Sequence, residues 1–393
     1  MKKTRLLLSA LMAVVMMAMC PQLSWALSGS GTSSSHYKIA NASDWTSFCS
    51  SCSTSSSSPS YADITGSFST STMLGNDKFR YAIIDGGGNT ITISVTNTSS
   101  DYSGLCKEFG GQISNLIVAG TVSSSKKYAC GVIGHVNNLA TTLTNVICTV
   151  NITFTGSGDS SCGPMVGKVD DDVTMNNCGY IGTIKGNSNS YNVSGFIAYR
   201  SGNTVACTNC YSAATFSSWQ SNSGNYAFMR NSGSSTTYTR CYYLNKPTGG
   251  TVDSGVTQTT SAKVSSAELC YNLNGSTGGG TSFYQNIDQG TKDSYPMPFS
   301  THNKVYYSYT THGATSQAYS NYNYPSSHIY YNTLTSNTWS NTSTPVSCKV
   351  AMKYTCSTCG ATANETLTPT CNTTAATCVN DGSYDYTATS TTY

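Results

Sequence analysis

Between Gly104 and Cys241 the apolar residues fall into two short clusters that alternate along the chain. The first cluster is a small residue, two apolar residues and usually a glycine. It reads Gly104-Leu105-Cys106-Lys107, Gly131-Val132-Ile133-Gly134, Pro164-Met165-Val166-Gly167, Gly195-Phe196-Ile197-Ala198 and Ala227-Phe228-Met229-Arg230. The second places a polar residue, usually Asn, before an apolar residue or Cys: Asn115-Leu116, Asn145-Val146, Asn177-Cys178, Asn209-Cys210 and Arg240-Cys241. Successive polar positions are separated by 30, 32, 32 and 31 residues. A steady period in this range predicts stacked repeats, each burying its apolar face only against its neighbours. A third apolar run follows in the first four copies, at residues 117–122, 149–154, 181–184 and 213–216. Three short strands per turn predict an all-β chain: a right-handed parallel β-helix of about five rungs, its inward residues forming one continuous core. The glycines flanking the first cluster predict sharp turns between faces. Asn tolerates left-handed backbone, so Asn115, Asn145, Asn177 and Asn209 are expected to stack as an amide ladder.

The flanks differ from the repeats. Lys2, Lys3 and Arg5 precede an apolar run over residues 6–19, and Ser24-Trp25-Ala26 presents small residues where a signal peptidase reads them. Residues 1–26 are therefore expected to be a signal peptide cleaved after Ala26, placing the protein outside the cell or on its outer surface. Cys20 invites the alternative of a lipoprotein site, which Met19 disfavours because it is bulky where a small residue is wanted. No later stretch is apolar enough to span a membrane. Residues 27–100 read as an N-terminal cap with approach strands: Tyr37-Lys38-Ile39, a helical turn around Trp45 capped by Asn41 or Ser43, and the strand–turn–strand over residues 81–93. Residues 101–250 hold the repeats. Residues 251–300 close the solenoid and contain the best helical periodicity, at 262–272. Residues 301–393 form a Ser/Thr/Tyr/Cys-rich tail that reads as a small, incomplete β module.

These motifs together resemble the GLUG-repeat proteins exported by Bacteroidetes. The resemblance rests on the Gly-apolar-apolar-Gly clusters, on Asp85-Gly86-Gly87-Gly88-Asn89-Thr90-Ile91 before them, and on Glu268-Leu269-Cys270-Tyr271-Asn272-Leu273-Asn274 with Phe283-Tyr284-Gln285 and Tyr295-Pro296 after them. Pro164, Ala227 and Arg230 depart from the pattern. The resemblance implies a β-solenoid on an exported, adhesin-like surface protein with no single agreed activity.

Composition narrows the chemistry. Only 9% of residues are charged and the net charge is +3, which argues against a nucleic-acid partner. Of the 17 cysteines, the 16 that remain after signal cleavage fit disulfides in an oxidising compartment, but Cys178, Cys210 and Cys241 hold the places of Leu116 and Val146 and equally suit buried thiols. Cys356, Cys359, Cys371 and Cys378 are poorly spaced for zinc, and Cys49 with Cys52 lacks the context of a redox motif. The run Lys168-Val169-Asp170-Asp171-Asp172, with Asp159, is where a β-helix polysaccharide lyase or glycoside hydrolase would need converging carboxylates; a solvated turn explains it as well. His135 reads as an outward polar position equivalent to Lys168 and Tyr199. Asp85-Gly86-Gly87-Gly88 occurs once and reads as a turn rather than a calcium repeat. Trp219, Trp339 and the tail tyrosines are candidates for stacking on sugars. No catalytic, cofactor-binding or metal residue is assigned. The expected function is non-enzymatic binding of a glycan or protein at the cell surface. A polysaccharide-degrading enzyme and a structural spacer for surface display are the alternatives.

Overall fold

The structure is a computed structural model that describes residues 27–231, 233–309, 317–323, 330–342, 344–357 and 362–390. The expected signal peptide, with Cys20 and Ala26, lies outside the described residues, as does Cys359. The chain divides into two compact units. One runs to Thr260 and includes Met297–Phe299; the other holds Ser261–Pro296 and the residues from Ser300 onward.

The first unit is a parallel β-solenoid built from three ladders. In one, Cys106, Ile133, Val166 and Ile197 stand in register, and Met229 bridges to Ile197. In the second, Ala62, Ile84, Ile113, Leu143, Met175, Cys207 and Tyr238 follow one another. In the third the order is Ile91, Val118, Cys148, Tyr180, Ser212 and Tyr243. All of these except the partly covered Tyr238 are buried, so a single apolar column fills the coil. In the first full rung the strands expected to be separate merge into Cys106–Ser124, which turns at Gly111 and Asn115, both with positive φ.

The repeat glycine is explained by a close approach. A Cβ on Gly167 would sit 2.4 Å from the Gly134 carbonyl oxygen and 2.8 Å from that of Tyr128. On Gly134 it would meet the Lys107 oxygen at 2.7 Å and Tyr102 Cβ at 2.8 Å. At these two rungs the chain entering one rung crosses directly over the glycine of the next and leaves no room for a side chain, whereas the following copy carries Ala198 at the same place.

The amide ladder forms as expected. Asn115, Asn145, Asn177, Asn209 and Arg240 all have φ between 51° and 56°. Asn145 Nδ2 donates to Asn115 Oδ1 at 2.8 Å, Asn177 to Asn145 at 3.0 Å and Asn209 to Asn177 at 2.8 Å. Asn115 Nδ2 reaches Asp85 Oδ1 at 3.1 Å at one end, and Arg240 Nε caps Asn209 Oδ1 at 2.7 Å at the other.

The cap is the helix Ala42–Ser51, which buries Trp45, Phe48 and Cys49. Of the two expected caps, Asn41 is the one used: its Oδ1 accepts the N–H groups of Ser43 and Asp44. Between the repeat strands, Gly158–Cys162 and Ser190–Val193 pair in parallel as a short extra sheet. In the second unit, helices Ser261–Ser265 and Glu268–Leu273 fall where helical periodicity is strongest. Beyond them the strands Tyr330–Ser340, Ser347–Cys356 and Thr362–Leu367 make an antiparallel sheet, and Thr370–Thr374 pairs with Ser383–Thr387. Within the tail, residues 330–340 form an eleven-residue strand. Among the described residues no helix is long and apolar enough to cross a membrane.

Candidate functional site

The solenoid draws its candidate residues into two clusters of ion pairs. His135, Lys168 and Tyr199 stand in register on one ladder, as their repeat positions require, and Glu108 pairs with His135. His135 is not a solvated polar position. It is 7% exposed, stacks on Tyr102 at 4.4 Å and meets the Phe79 edge at 5.3 Å. Its Nε2 lies 2.8 Å from Asp170 Oδ2, which also takes Lys168 Nζ at 2.6 Å. The Ser201 hydroxyl donates to the same carboxylate. The aromatic residues that bury this histidine come from outside the repeat signature, which is why its burial cannot be read from the motif. Earlier on the rung that carries Lys168 and Asp170, Asp159 accepts Lys127 Nζ and Asn192 Nδ2, each at 2.8 Å. Arg230, the residue that breaks the repeat pattern, lies over the Tyr199 ring and bonds Ser161 Oγ at 2.8 Å, with Asp159 Oδ1 at 3.5 Å.

These contacts decide what the two carboxylates can do. Burial alone would raise the pKa of Asp170, but hydrogen bonds from Lys168, Ser201 and His135 outweigh it and hold the carboxyl below its ordinary value. Asp159 behaves the same way: burial opposes, and Lys127, Asn192 and Ser161 prevail. A general acid for glycoside cleavage must stay protonated near neutral pH. Both groups are tuned in the opposite direction. Asp172 accepts the Thr204 N–H at 2.8 Å and lies exposed.

The aromatic candidates separate cleanly. Trp219 is core: it is 8% exposed, donates Nε1–H to the Ile184 carbonyl at 2.8 Å and lies 6.4 Å from Phe154. It offers no face to a ligand, which corrects the expectation from sequence. Trp339 is 48% exposed and stands edge-on to Tyr386, 4.9 Å away. The Tyr386 hydroxyl donates to the Val346 carbonyl at 2.5 Å, fixing that ring. Trp339 and Tyr386 line a cleft of about 540 Å³ whose walls include Leu334, Met352, Tyr354, Asn332 and Asn337.

The cleft exists because of an irregularity. Pairing slips between Leu334 and Ser336, so Asn332 and Leu334 before the bulge and Asn337 and Trp339 after it all reach one face. Strict alternation would have put Trp339 opposite Leu334. On the partner strand Cys348, Val350, Met352 and Tyr354 alternate regularly onto the same face. Among the described residues no Asp, Glu, Lys or Arg lines the cleft. Glu365, across from Met352 on the third strand, is the nearest acidic residue in register and has a buried Oε2 without a hydrogen-bond partner. Of the cysteines considered for zinc, Cys356 is buried, Cys371 faces Tyr386 in register and Cys378 is exposed, while Cys348 lines this cleft. Among the described residues no group of His, Cys, Asp and Glu is placed to hold a metal ion.

No family profile matches the chain, and no curated protein matches it. Among solved structures, the crystal structure of a "putative immunoglobulin A1 protease" from Bacteroides ovatus is similar in fold, with 14% identity and a TM-score of 0.50. The match covers 68% of this chain and 94% of that one.

Proposed function

We propose that the protein is an exported, surface-displayed β-solenoid of the GLUG-repeat type whose C-terminal module binds neutral glycans without cleaving them. The observation that carries this reading is the Trp339 cleft. Its volume lies within the range of ligand sites, about 300–1,000 Å³. Its wall offers exposed aromatic surface for the apolar face of a sugar ring, and Asn332, Asn337, Thr389 and Ser390 supply neutral hydrogen-bonding groups for hydroxyls. The absence of charged residues from its lining favours an uncharged ligand. A single nearby carboxylate, Glu365, does not provide the acid and base that glycosidic hydrolysis requires. The protease description belongs to the Bacteroides ovatus protein, and at 14% identity only the fold is shared.

The test is a glycan and mucin array probed with residues 27–393, run beside an assay for new reducing ends on the bound polysaccharides. Binding to neutral glycans without release of ends is expected. Degradation that disappears in Glu365→Gln or Asp170→Ala would establish the polysaccharide-degrading alternative. Neither binding nor turnover would leave the spacer.

A further inference from the structure

The solenoid core contains a thiol cluster that neither the fold nor the cleft explains. Along the third ladder the pairs Gly179–Tyr211 and Tyr211–Tyr242 fix the preceding residues, so Cys178, Cys210 and Cys241 stack on consecutive rungs. The column begins with Leu116 and Val146 and resumes with Val256 opposite Cys241. Cys207 enters from the second ladder of the same rung as Cys210. All four residues are buried. Each of the three stacked thiols can donate to a carbonyl of the rung before, Cys178 to Leu143 at 3.5 Å, Cys210 to Met175 at 3.6 Å and Cys241 to Cys207 at 3.3 Å. All four are free thiols in the structure, and those of Cys178, Cys207 and Cys241 lie close enough to Cys210 to bear on its ionisation.

We propose that Cys210 and Cys241 form a disulfide across consecutive rungs when the chain folds in an oxidising compartment, an inference that rests on the export reading and not on the glycan site. Neighbouring strands lie about 4.8 Å apart, within the roughly 4.4–6.8 Å between Cα atoms that a disulfide tolerates. Cys241 is the attacking member because Arg240, its neighbour in the chain, puts a positive charge beside the thiol before the rung closes and so favours the thiolate. Before the rung closes, the Cys241 thiolate attacks a sulfur of an external disulfide R–S–S–R, and one R–S⁻ leaves. Cys210 then gives up its proton and attacks the Cys241 sulfur of the mixed disulfide, releasing the second R–S⁻. In sum, two thiols and R–S–S–R give Cys210–S–S–Cys241 and two R–SH.

The reduced, unfolded chain from residue 27 onward is refolded with oxidised glutathione as R–S–S–R, alkylated under denaturing conditions and mapped by peptide mass spectrometry without reduction. A peptide pair joining Cys210 to Cys241 is expected. So is a melting temperature that falls by a few degrees when dithiothreitol is added. Cys241→Val, which matches Val146 and Val256 in the same column, keeps the core apolar and removes the dithiothreitol effect. Alkylation of both cysteines, or Cys210 linked to Cys178 or Cys207 instead, overturns the proposal. Glycan binding measured on the same samples reports separately on the cleft.

Discussion

At the residue scale the solenoid depends on side chains that do two jobs. Each ladder Asn both adopts a left-handed backbone and passes a hydrogen bond to the next rung. Asn177→Ala loses both properties, whereas Asn177→Gly keeps the backbone freedom and loses only the bonds. Chemical denaturation should show the alanine variant destabilised by about 1–3 kcal/mol and the glycine variant by less. Equal losses would mean that the backbone conformation costs nothing. Asp170 makes a pH prediction. Its carboxyl is held low in the folded protein, so its contribution is complete above the ordinary carboxylate pKa near ~4 and is lost as pH falls through the lower folded value. Asp170→Asn should therefore lower the melting temperature at neutral pH and flatten its decline in acid. An unaltered acid limb would show that the Lys168 and His135 contacts contribute nothing.

At the element scale the repeat was legible because its constraints are local and periodic. The Asn positions, the paired apolar residues and the glycines each answer to one backbone requirement repeated every turn. The copies also show where the requirement lapses. Gly134 and Gly167 lie under a crossing chain, while the same place holds Ala198 in the next copy and Arg230 in the last. Gly167→Ala should cost roughly 2 kcal/mol or more, because its Cβ would press on two backbone oxygens that cannot yield without parting the rungs. Ala198→Gly should be nearly neutral. Similar effects of the two in thermal melts would contradict this explanation of the motif. What the sequence hid were events that break period. The bulge after Leu334 reverses the face of Trp339, and a single-residue slip leaves no mark in composition. His135 is buried by Phe79 and Tyr102, which belong to other segments. Trp219 closes over Phe154 from a stretch that looks like loop.

At the scale of the whole molecule the two units divide the work. The solenoid uses its charged residues on itself: Asp159 and Asp170 are neutralised by Lys127, Lys168 and Arg230, and its inward positions are committed to packing. The C-terminal module leaves an aromatic, uncharged cleft open. Fold class, rung number and the ladder could be argued from the amino-acid sequence, whereas the cleft depends on long-range strand pairing that has no short motif. The most direct test of the account is calorimetric titration of an array-selected neutral oligosaccharide into the wild-type chain and Trp339→Ala. The account predicts binding to the wild type, a loss of affinity of about tenfold or more in the variant, as expected for removing a stacking aromatic, and an unchanged unfolding transition of the solenoid. Equal affinity in the two proteins, or failure of any neutral glycan to bind, would contradict it.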